Sequence, residues 1–153
     1  MITIIVARNL INTIGKDGII PWLVPEDLRM FENLTRGTDL VMGRKTWDSL
    51  PNKPLKGRRN YVLSKEHTND DRYVSCQSIT DIPKHNLSVI GGESIYNLFI
   101  GLAHEIYLTT VFDYTIGDTF FEFDEEKWAT SYKTKWFKSV TGTKYQYSKL
   151  VRK

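Results

Sequence analysis

Residues 87–100 read LSVIGGESIYNLFI, which is a short apolar run, a pair of glycines and then a stretch with helical apolar spacing. The run Leu87–Ile90 is typical of a buried strand and Glu93–Ile100 of a helix. The glycine pair therefore lies where a strand leads into a helix. Strand–turn–helix units of this kind build parallel sheets covered by helices, so this stretch favours the α/β class.

The same alternation extends in both directions along the chain. Further strands are predicted at Ile2–Ala7, Leu40–Met42, Asn60–Leu63, Tyr73–Cys76 and Glu105–Val111. Further helices are predicted from Pro25 onward and over Arg44–Leu50 and Ile79–His85. The last runs, Tyr132–Lys138 and Lys144–Leu150, flank Thr141-Gly142-Thr143 and predict an antiparallel hairpin. We expect a three-layer α/β fold, with a central mixed, mainly parallel sheet of about eight strands, helices on both faces and this C-terminal hairpin.

Length and composition indicate one domain, residues 1–153, because the chain is 41% hydrophobic and has no linker or repeat. The net charge of +3 comes from scattered Lys and Arg, whereas nucleic-acid binding favours a basic stripe. The one cysteine, Cys76, can form no intrachain disulfide. The opening run Ile2–Ala7 is too short to span a membrane and follows no basic segment. We expect a cytoplasmic monomer without nucleic-acid or membrane partners.

In open α/β sheets, ligands bind outside the carboxyl ends of the strands. At one such end, the backbone N–H groups after Gly91-Gly92 could hold a phosphate at a helix start, although a plain tight turn is the alternative. At a second strand end, Gly43-Arg44-Lys45-Thr46 places two cations at a helix N-terminus, where the helix dipole disfavours positive charge. A bound anion between these cations would remove the conflict, so we favour an anion site over a solvated basic turn. Ser64 and Lys65 follow a third strand. Together these sites predict a ligand with several phosphates, and a dinucleotide fits them best.

Asp27 follows Pro25 in the first turn of a predicted helix, with Leu28 and Phe31 beside it. The simplest interpretation is an acid that complements the helix dipole. The functional interpretation is a carboxylate at the edge of an apolar pocket, where burial raises its pKa and its two oxygens can hold an amidine-like ring edge. No second acid or histidine lies at a sequence spacing from Asp27 that would indicate a catalytic pair, which argues against hydrolysis by two acids.

The long segment from Arg8 to Pro21 contains Gly15 and Gly18 and ends at Trp22. A glycine-bearing loop ahead of the acidic helix could act as a lid, and an ordinary connector with a packed indole is the alternative. His67, His85 and His104 show none of the short spacings of metal ligands, so no metal site is expected.

A series of motifs runs through the chain. They are Ile14-Gly15 with Pro21-Trp22, Pro25-Glu26-Asp27-Leu28 with Phe31, Met42-Gly43-Arg44-Lys45-Thr46-Trp47 with Ser49, Pro54-Leu55 with Gly57-Arg58, Val89-Ile90-Gly91-Gly92 with Tyr96, Tyr107-Leu108-Thr109, and Gly117-Asp118-Thr119. In order and spacing they resemble the dihydrofolate reductases. The resemblance implies an NADPH-dependent oxidoreductase that converts 7,8-dihydrofolate to 5,6,7,8-tetrahydrofolate for one-carbon and thymidylate metabolism.

The resemblance also implies the substrate contacts. Asp27 would hold the amino-pyrimidine edge of the pterin, supported through a water by Thr109, and Trp22 would hold an active-site water. The apolar substrate contacts would be Ile5, Leu28, Phe31 and Leu55, the last lining the p-aminobenzoyl pocket. Arg58 would pair with the α-carboxylate of the glutamate tail.

For the cofactor, the resemblance implies Ala7, Ile14 and Tyr96 around the nicotinamide. Lys45 and Thr46 would contact the pyrophosphate, and Arg44 with Ser64 would hold the 2′-phosphate that distinguishes NADPH from NADH. The remaining implied cofactor residues are Gly15, Gly43, Lys65, Gly91, Gly92, Glu93, Ser94 and Ile95. A cis peptide between Gly91 and Gly92 is also implied.

The chain departs from the family pattern at three places. Glu93 stands where some relatives have a third glycine, so nearby phosphate contacts would be made by backbone alone. Ile20 replaces a methionine of many bacterial lids, and Asp17-Gly18 changes the same loop. One residue is inserted around Pro51–Lys53.

Two other functions are compatible with these residues. A related pyrimidine reductase of riboflavin synthesis shares the fold type and NADPH, but Asp27 with Arg58 favours folate. A binding or structural protein that keeps the fold without activity is the other alternative, and the intact set of expected functional positions argues against it.

Overall fold

The computed structural model describes all residues from Met1 to Lys153. Its strands are β1 (Ile2–Asn9), β2 (Thr13–Gly15), β3 (Asp39–Gly43), β4 (Asn60–Leu63), β5 (Val74–Cys76), β6 (Leu87–Val89), β7 (Glu105–Val111), β8 (Thr119–Phe120), β9 (Trp128–Lys133), β10 (Phe137–Lys138) and β11 (Lys144–Arg152). Its α-helices are α1 (Pro25–Thr35), α2 (Arg44–Ser49) and α3 (Glu93–Phe99). None of the helices has the length and hydropathy of a membrane span.

The central sheet has nine strands in the order β10-β11-β7-β1-β6-β3-β4-β5, with β9 also paired to β11. The pairs from β7 to β5 are all parallel, and β11 runs antiparallel to β7, β9 and β10. The mixed, mainly parallel sheet predicted from the sequence is confirmed. The carboxyl ends of β1, β3, β4 and β6 meet at one edge, which is where the ligand site was expected.

Side chains alternate between the two faces of the sheet. Ile4 and Val6 belong to a core cluster with Tyr96 and Phe99 of α3. On the opposite face, Leu40 and Met42 pack with Trp47 of α2 and with Phe31 of α1. Helices therefore cover both faces, as predicted, and the odd-numbered residues of β1, Ile5 and Ala7, point toward α1.

A second, two-stranded sheet was not predicted. β2 lies in the expected lid region and pairs with β8 from the distant segment 119–120, and we call this pair the lid sheet. An Asp17-Gly18 turn with positive φ at both residues follows β2. Lys16 and Ile19 close this turn with two backbone hydrogen bonds of 2.8 and 3.0 Å. Strands of two or three residues are too short to show a period-2 pattern, so their pairing could not be inferred from the sequence.

Two predicted elements were wrong in extent. The strand Tyr132–Lys138 is two strands, β9 and β10, because Thr134 leaves the regular ladder and its hydroxyl accepts a hydrogen bond from the Tyr147 amide at 3.0 Å. The helix Ile79–His85 is only a 3-10 turn over Ile79–Asp81. Pro83 explains this, since it disfavours helical backbone at the preceding residue and has no N–H to donate.

Candidate active site

A cavity of about 340 Å³ lies between α1 and the sheet, and we refer to it as the α1 cavity. Its lining is mostly apolar and includes Ile5, Val6, Ala7, Ile20, Asp27, Leu28, Met30, Phe31, Leu34, Thr46, Ser49, Leu50, Pro51, Ile90, Tyr96, Tyr107, Leu108, Thr109, Tyr132, Thr134, Tyr147, Ser148 and Lys149. Asp27 is the single carboxylate among these residues. A mostly apolar cavity with few polar groups is typical of a small-molecule site.

The two acids of the first turn of α1 have different environments. Glu26 turns away from the cavity, and its carboxylate accepts hydrogen bonds from Ser139 Oγ at 2.6 Å and Val140 N at 2.9 Å. Asp27 turns into the cavity, where its Oδ1 accepts a hydrogen bond from Thr109 Oγ1 at 2.6 Å. The acid that merely stabilises the helix start is thus Glu26, and Asp27 is available to a ligand.

Burial raises the pKa of the Asp27 carboxyl, and the Thr109 hydrogen bond opposes that rise. Thr109 itself is buried and pairs in register with Ala7 on the neighbouring strand β1. The resemblance implied a water between Thr109 and Asp27, and this is corrected, because the hydroxyl donates directly to the carboxylate. One oxygen of Asp27 is thereby positioned, and its carboxylate can accept further hydrogen bonds from a ligand.

The lid region reaches the cavity through Ile20, which lines it. The lid is held by the segment before β8. Asp17 N donates to Asp118 Oδ2 at 2.9 Å, and Asp118 N donates to Gly15 O at 3.0 Å. Trp22, Ile14 and Gly15 were also expected near the ligands, but none of them lines the cavity. Trp22 packs against the cluster of Val24, Val111 and Tyr145 instead, and Ile14 packs against the main core cluster.

The glycine pair joins the ends of two strands. Gly43 N donates to Gly91 O at 2.8 Å, which fixes the turn after β6 beside the start of α2. The Gly91–Gly92 peptide is cis, as the resemblance implied. Gly91 has φ +118°, and a Cβ there would lie 3.2 Å from the hydroxyl of Tyr96. That hydroxyl donates to Ile5 O at 2.8 Å, so Tyr96 forms a fixed wall of the cavity.

The polar residues at the strand ends fit a phosphate-bearing cofactor. Gly43 and Leu63 pair in register, so Arg44 and Ser64 follow adjacent strand ends. Arg44, Lys45 and Lys65 are exposed, and Arg44 Nε lies 3.3 Å from Asp48 Oδ1. Gly92 leaves the start of α3 open, since a Cβ there would still lie 3.8 Å from Thr46 Oγ1. Cations, a hydroxyl and free backbone N–H groups are the donors that NADPH phosphates require.

Glu93, Ser94 and Ile95 differ in their availability to a cofactor. The carboxylate of Glu93 accepts a hydrogen bond from Phe120 N at 3.2 Å, which ties the start of α3 to β8. Ser94 is exposed, whereas Ile95 is buried in the core. A contact from Ile95 would therefore be made by its backbone, and Glu93 is already engaged in supporting the lid sheet.

A second, polar groove adjoins the α1 cavity at Pro51, which lines both. We call it the tail groove, and it is lined by Glu32, Arg36, Gly37 and residues 51–58. Leu55 and Arg58 belong to this groove. The guanidinium of Arg58 donates from Nε to Thr35 O, from Nη1 to Lys56 O and from Nη2 to Glu32 O, at 3.1, 2.7 and 2.9 Å. A guanidinium has five N–H donors, so one remains on each terminal nitrogen.

The structure thus brings together all residues that were expected to contact the substrate and three that were expected to contact the cofactor, Ala7, Thr46 and Tyr96. Ile5, Ala7, Asp27, Leu28, Phe31, Thr46, Tyr96 and Thr109 line the α1 cavity, and Leu55 and Arg58 line the adjacent groove. The lining residues that were missed include Met30 and Leu34 on α1 and Tyr107, Tyr147 and Lys149 on the sheet. Two simple signals could have found three of them, since Met30 and Leu34 share the helical face of Asp27 and Tyr107 shares the strand face of Thr109.

Comparison with known proteins identifies the family of this chain. The family model described as dihydrofolate reductase matches residues 1–152. The chain belongs to the dihydrofolate reductase family. It is 36% identical to the dihydrofolate reductase of Mycobacterium leprae (strain TN) over 157 residues, covering 95% of this chain and 94% of the relative. It is 37% identical to that of Buchnera aphidicola subsp. Schizaphis graminum (strain Sg) over 140 residues, covering 87% and 86%.

A solved structure of a family member also superimposes closely. The dihydrofolate reductase from Enterococcus faecalis, complexed with NADP(H) and RAB-propyl, has a TM-score of 0.89 and 27% identity, and covers 99% of this chain and 96% of that one. Family membership confirms the enzyme class inferred from the sequence, which is an NADPH-dependent oxidoreductase acting on dihydrofolate.

Proposed function

We propose that Asp27, positioned by Thr109 in the α1 cavity, orients 7,8-dihydrofolate for reduction to 5,6,7,8-tetrahydrofolate. The observation that carries this proposal is a single carboxylate, bound on one side by Thr109 Oγ1, in a mostly apolar cavity. The amino-pyrimidine edge of a pterin offers adjacent N–H donors, which two carboxylate oxygens accept as a pair. NADPH, when bound, supplies the hydride that passes from nicotinamide C4 to pterin C6.

Asp27 also favours the protonated substrate. A negative charge in a cavity with few other polar groups stabilises a nearby cation more strongly than it would in water. Protonation of the substrate at N5 is therefore promoted by the ionised form of Asp27, and solvent is the proton source. Thr109 acts as a positioning residue, because it contacts Asp27 and fixes the carboxylate in one orientation.

The remaining substrate contacts are apolar, apart from one arginine. Ile5, Leu28 and Phe31 would pack on the pterin ring and its neighbour and would exclude water from the reacting atoms. Leu55 would contact the p-aminobenzoyl ring. The two free N–H groups of Arg58 would hold the α-carboxylate of the glutamate tail.

The cofactor would lie along the ends of β1, β3, β4 and β6. Ala7 and Tyr96 would adjoin the nicotinamide, with Ile14 and Gly15 covering it from the lid. Thr46, Lys45 and the backbone of Gly43 and residues 91–95 would hold the pyrophosphate. Arg44, Ser64 and Lys65 would hold the 2′-phosphate, as their adjacent strand ends support. Trp22 would need to move from its packing on the cluster of Val24, Val111 and Tyr145 to hold a water in the cavity.

We also propose that the chain acts as a single-domain monomer in the cytoplasm, without nucleic-acid partners. One continuous nine-stranded sheet with scattered charge supports this assignment. The experiment that tests the function is a steady-state assay that follows NADPH oxidation with dihydrofolate and with an aminopyrimidine of riboflavin synthesis. We expect turnover of dihydrofolate alone, and turnover of the pyrimidine alone would reject the assignment.

Arg44→Ala should weaken binding of NADPH much more than binding of NADH. The change removes a charge-assisted contact to the 2′-phosphate, which is worth about 1.5–3 kcal/mol, or about tenfold or more in Kd. The exposed Arg44–Asp48 ion pair is lost as well, but such a pair contributes little. Fluorescence titration of both cofactors provides the measurement, and an equal loss for the two would refute the assignment of Arg44.

Arg58→Lys should raise the KM for dihydrofolate although the positive charge is kept. A lysine has no planar fork, so it cannot bind three backbone carbonyls and still pair with a carboxylate. The KM of a pterin substrate without the glutamate tail should change little. If that substrate is affected to the same degree, Arg58 is a structural clamp of the loop and not a tail ligand.

A further inference from the structure

The strand β8 joins the lid to the edge of the central sheet where the cofactor would bind. On the lid side, Asp118 N donates to Gly15 O at 3.0 Å, and Asp118 Oδ2 accepts from Asp17 N at 2.9 Å. The lid then reaches the α1 cavity through Ile20, which lines it. The position of β8 therefore determines where the lid lies against the cavity.

Two charged side chains hold the β8 segment from the side of the central sheet. Glu93, in the first turn of α3, accepts a hydrogen bond from Phe120 N at 3.2 Å through Oε1. Arg8, near the end of β1, donates from Nη1 to Phe121 O at 2.8 Å. Two consecutive residues of this segment are thus bound by one acid and one base. Both come from elements that would adjoin the cofactor.

The two side chains differ in how firmly they are held. The guanidinium of Arg8 is buried, lies 5.7 and 5.1 Å from the ring centroids of Phe121 and Phe123, and is 3.6 Å from the carboxylate of Glu125. Glu93 is only partly buried, and the hydrogen bond to β8 is the contact that holds its carboxylate. Arg8 is therefore a fixed anchor, whereas Glu93 is the contact that a cofactor can influence.

Glu93 directly follows Gly92, at the backbone where the cofactor pyrophosphate would lie. Gly92 leaves this point open, since an added Cβ would still be 3.8 Å from Thr46 Oγ1. None of the four ion pairs of the chain includes Glu93, so no cation neutralises its carboxylate. Negative charges that lie close together repel each other, and more strongly where protein replaces water. The carboxylate that holds β8 therefore also opposes a bound phosphate.

We propose that Glu93 is a positioning residue that holds the lid in place through Phe120 N and, by its charge, weakens binding of the cofactor phosphates. The inference rests on the proposed function, which places the pyrophosphate beside residues 91–95. One side chain carries both effects, through its acceptor oxygen and its negative charge, and two substitutions separate them. A residue with only a structural role would weaken cofactor binding when it is replaced.

Glu93→Gln removes the charge and keeps an oxygen that can accept from Phe120 N. We expect NADPH to bind about two- to fivefold more tightly to this variant at low ionic strength, as measured by fluorescence titration. The difference should shrink as salt is added, because screening weakens the repulsion. Hydrogen exchange of the lid amides in the cofactor-free protein should stay near the wild-type rate, because the tie to β8 is kept.

Glu93→Ala removes both the charge and the hydrogen bond. NADPH should again bind more tightly, but the amides of Asp17 and Phe120 should exchange about five- to tenfold faster in the cofactor-free protein. Hydride transfer in a single turnover should be on the order of tenfold slower than in Glu93→Gln, because a misplaced lid disturbs the geometry of the reacting rings. Tighter binding together with slower transfer is the signature that a merely structural residue would not give.

The matched control is Glu122→Gln, which removes an exposed acid two positions after Phe120. It should change neither the Kd for NADPH nor the exchange of the lid amides. Equal tightening in this control and in Glu93→Gln would show a general effect of charge and overturn the proposal. Unchanged or weaker NADPH binding in Glu93→Gln would overturn it as well, as would wild-type lid exchange in Glu93→Ala.

Failure of the proposed function would give a different result. In that case the wild-type protein itself would not turn over dihydrofolate with NADPH, whatever residue stands at position 93. The titration of NADPH and the exchange of the lid amides do not depend on turnover. The two failures are therefore distinguishable.

Discussion

Asp27→Asn should fold normally and lose about 10²–10⁴-fold in kcat/KM near neutral pH. The amide has nearly the same shape as the carboxylate, so packing with Leu28 and Phe31 should survive, and its oxygen can still accept the Thr109 hydrogen bond. It carries no charge, however, and so cannot favour protonation at N5. Lowering the pH should recover part of the activity, because substrate protonated in solution no longer needs the carboxylate. The measurement is kcat/KM against pH for both proteins.

The stability of the same variant should depend on pH in a defined direction. Burial raises the pKa of Asp27 above its unfolded value. Between those two values the folded chain binds more protons than the unfolded chain, so the wild type loses stability as pH rises through that window. Asparagine does not titrate. The melting temperature of Asp27→Asn relative to wild type should therefore increase with pH across the window. If the variant melts normally and keeps wild-type activity at neutral pH, Asp27 only stabilises the start of the helix.

Gly117→Ala should reduce kcat/KM about 10²-fold although residue 117 does not line the α1 cavity. An added Cβ would overlap Gly15 O and Thr13 Cγ2, so the backbone of the lid sheet must move. The Asp118–Gly15 hydrogen bond would be displaced, and with it the strand that leads to Ile20 at the cavity. Overpacking of this kind also costs about 1–3 kcal/mol in the free energy of unfolding.

Gly101→Ala provides the matched control for this prediction. It adds the same methyl group at a glycine with no atom within 4 Å of the new Cβ. We expect wild-type turnover from Gly101→Ala and a loss in Gly117→Ala, measured by steady-state kinetics with thermal melts beside them. Equal kinetics in the two variants would show that the lid sheet does not control the cavity.

The parts of the fold that were predictable are those with a clear period. The stretch 87–100 gave the strand, the glycine turn and the helix in one pattern, and these correspond to β6 and α3. The pair β2 and β8 was missed because its strands are two and three residues long. The break at Thr134 was missed because it depends on a side-chain hydrogen bond to Tyr147, which lies thirteen positions away and cannot be read from local propensity.

The site shows the same division between local pattern and tertiary contact. Helical spacing alone could not show whether Glu26 or Asp27 faces the cavity. The hairpin determines this, because Ser139 and Val140 donate hydrogen bonds to the carboxylate of Glu26. Likewise, the sequence could not show that Arg58 is occupied by three backbone carbonyls, since those belong to α1 and its own loop. The motif order nevertheless identified the family, because many short matches in a fixed order are far more specific than any one of them.

Reduction with NADPH that carries deuterium in its transferable C4 position shows directly whether the chain moves hydride from this cofactor to dihydrofolate. We predict that one NADPH is oxidised for each tetrahydrofolate formed and that the deuterium lies at C6 of the product, as read by mass spectrometry and NMR. The same reaction with Asp27→Asn should give the same labelled position at a greatly reduced rate. Absence of NADPH oxidation with dihydrofolate, or deuterium at another position of the product, would contradict hydride transfer from nicotinamide C4 to pterin C6.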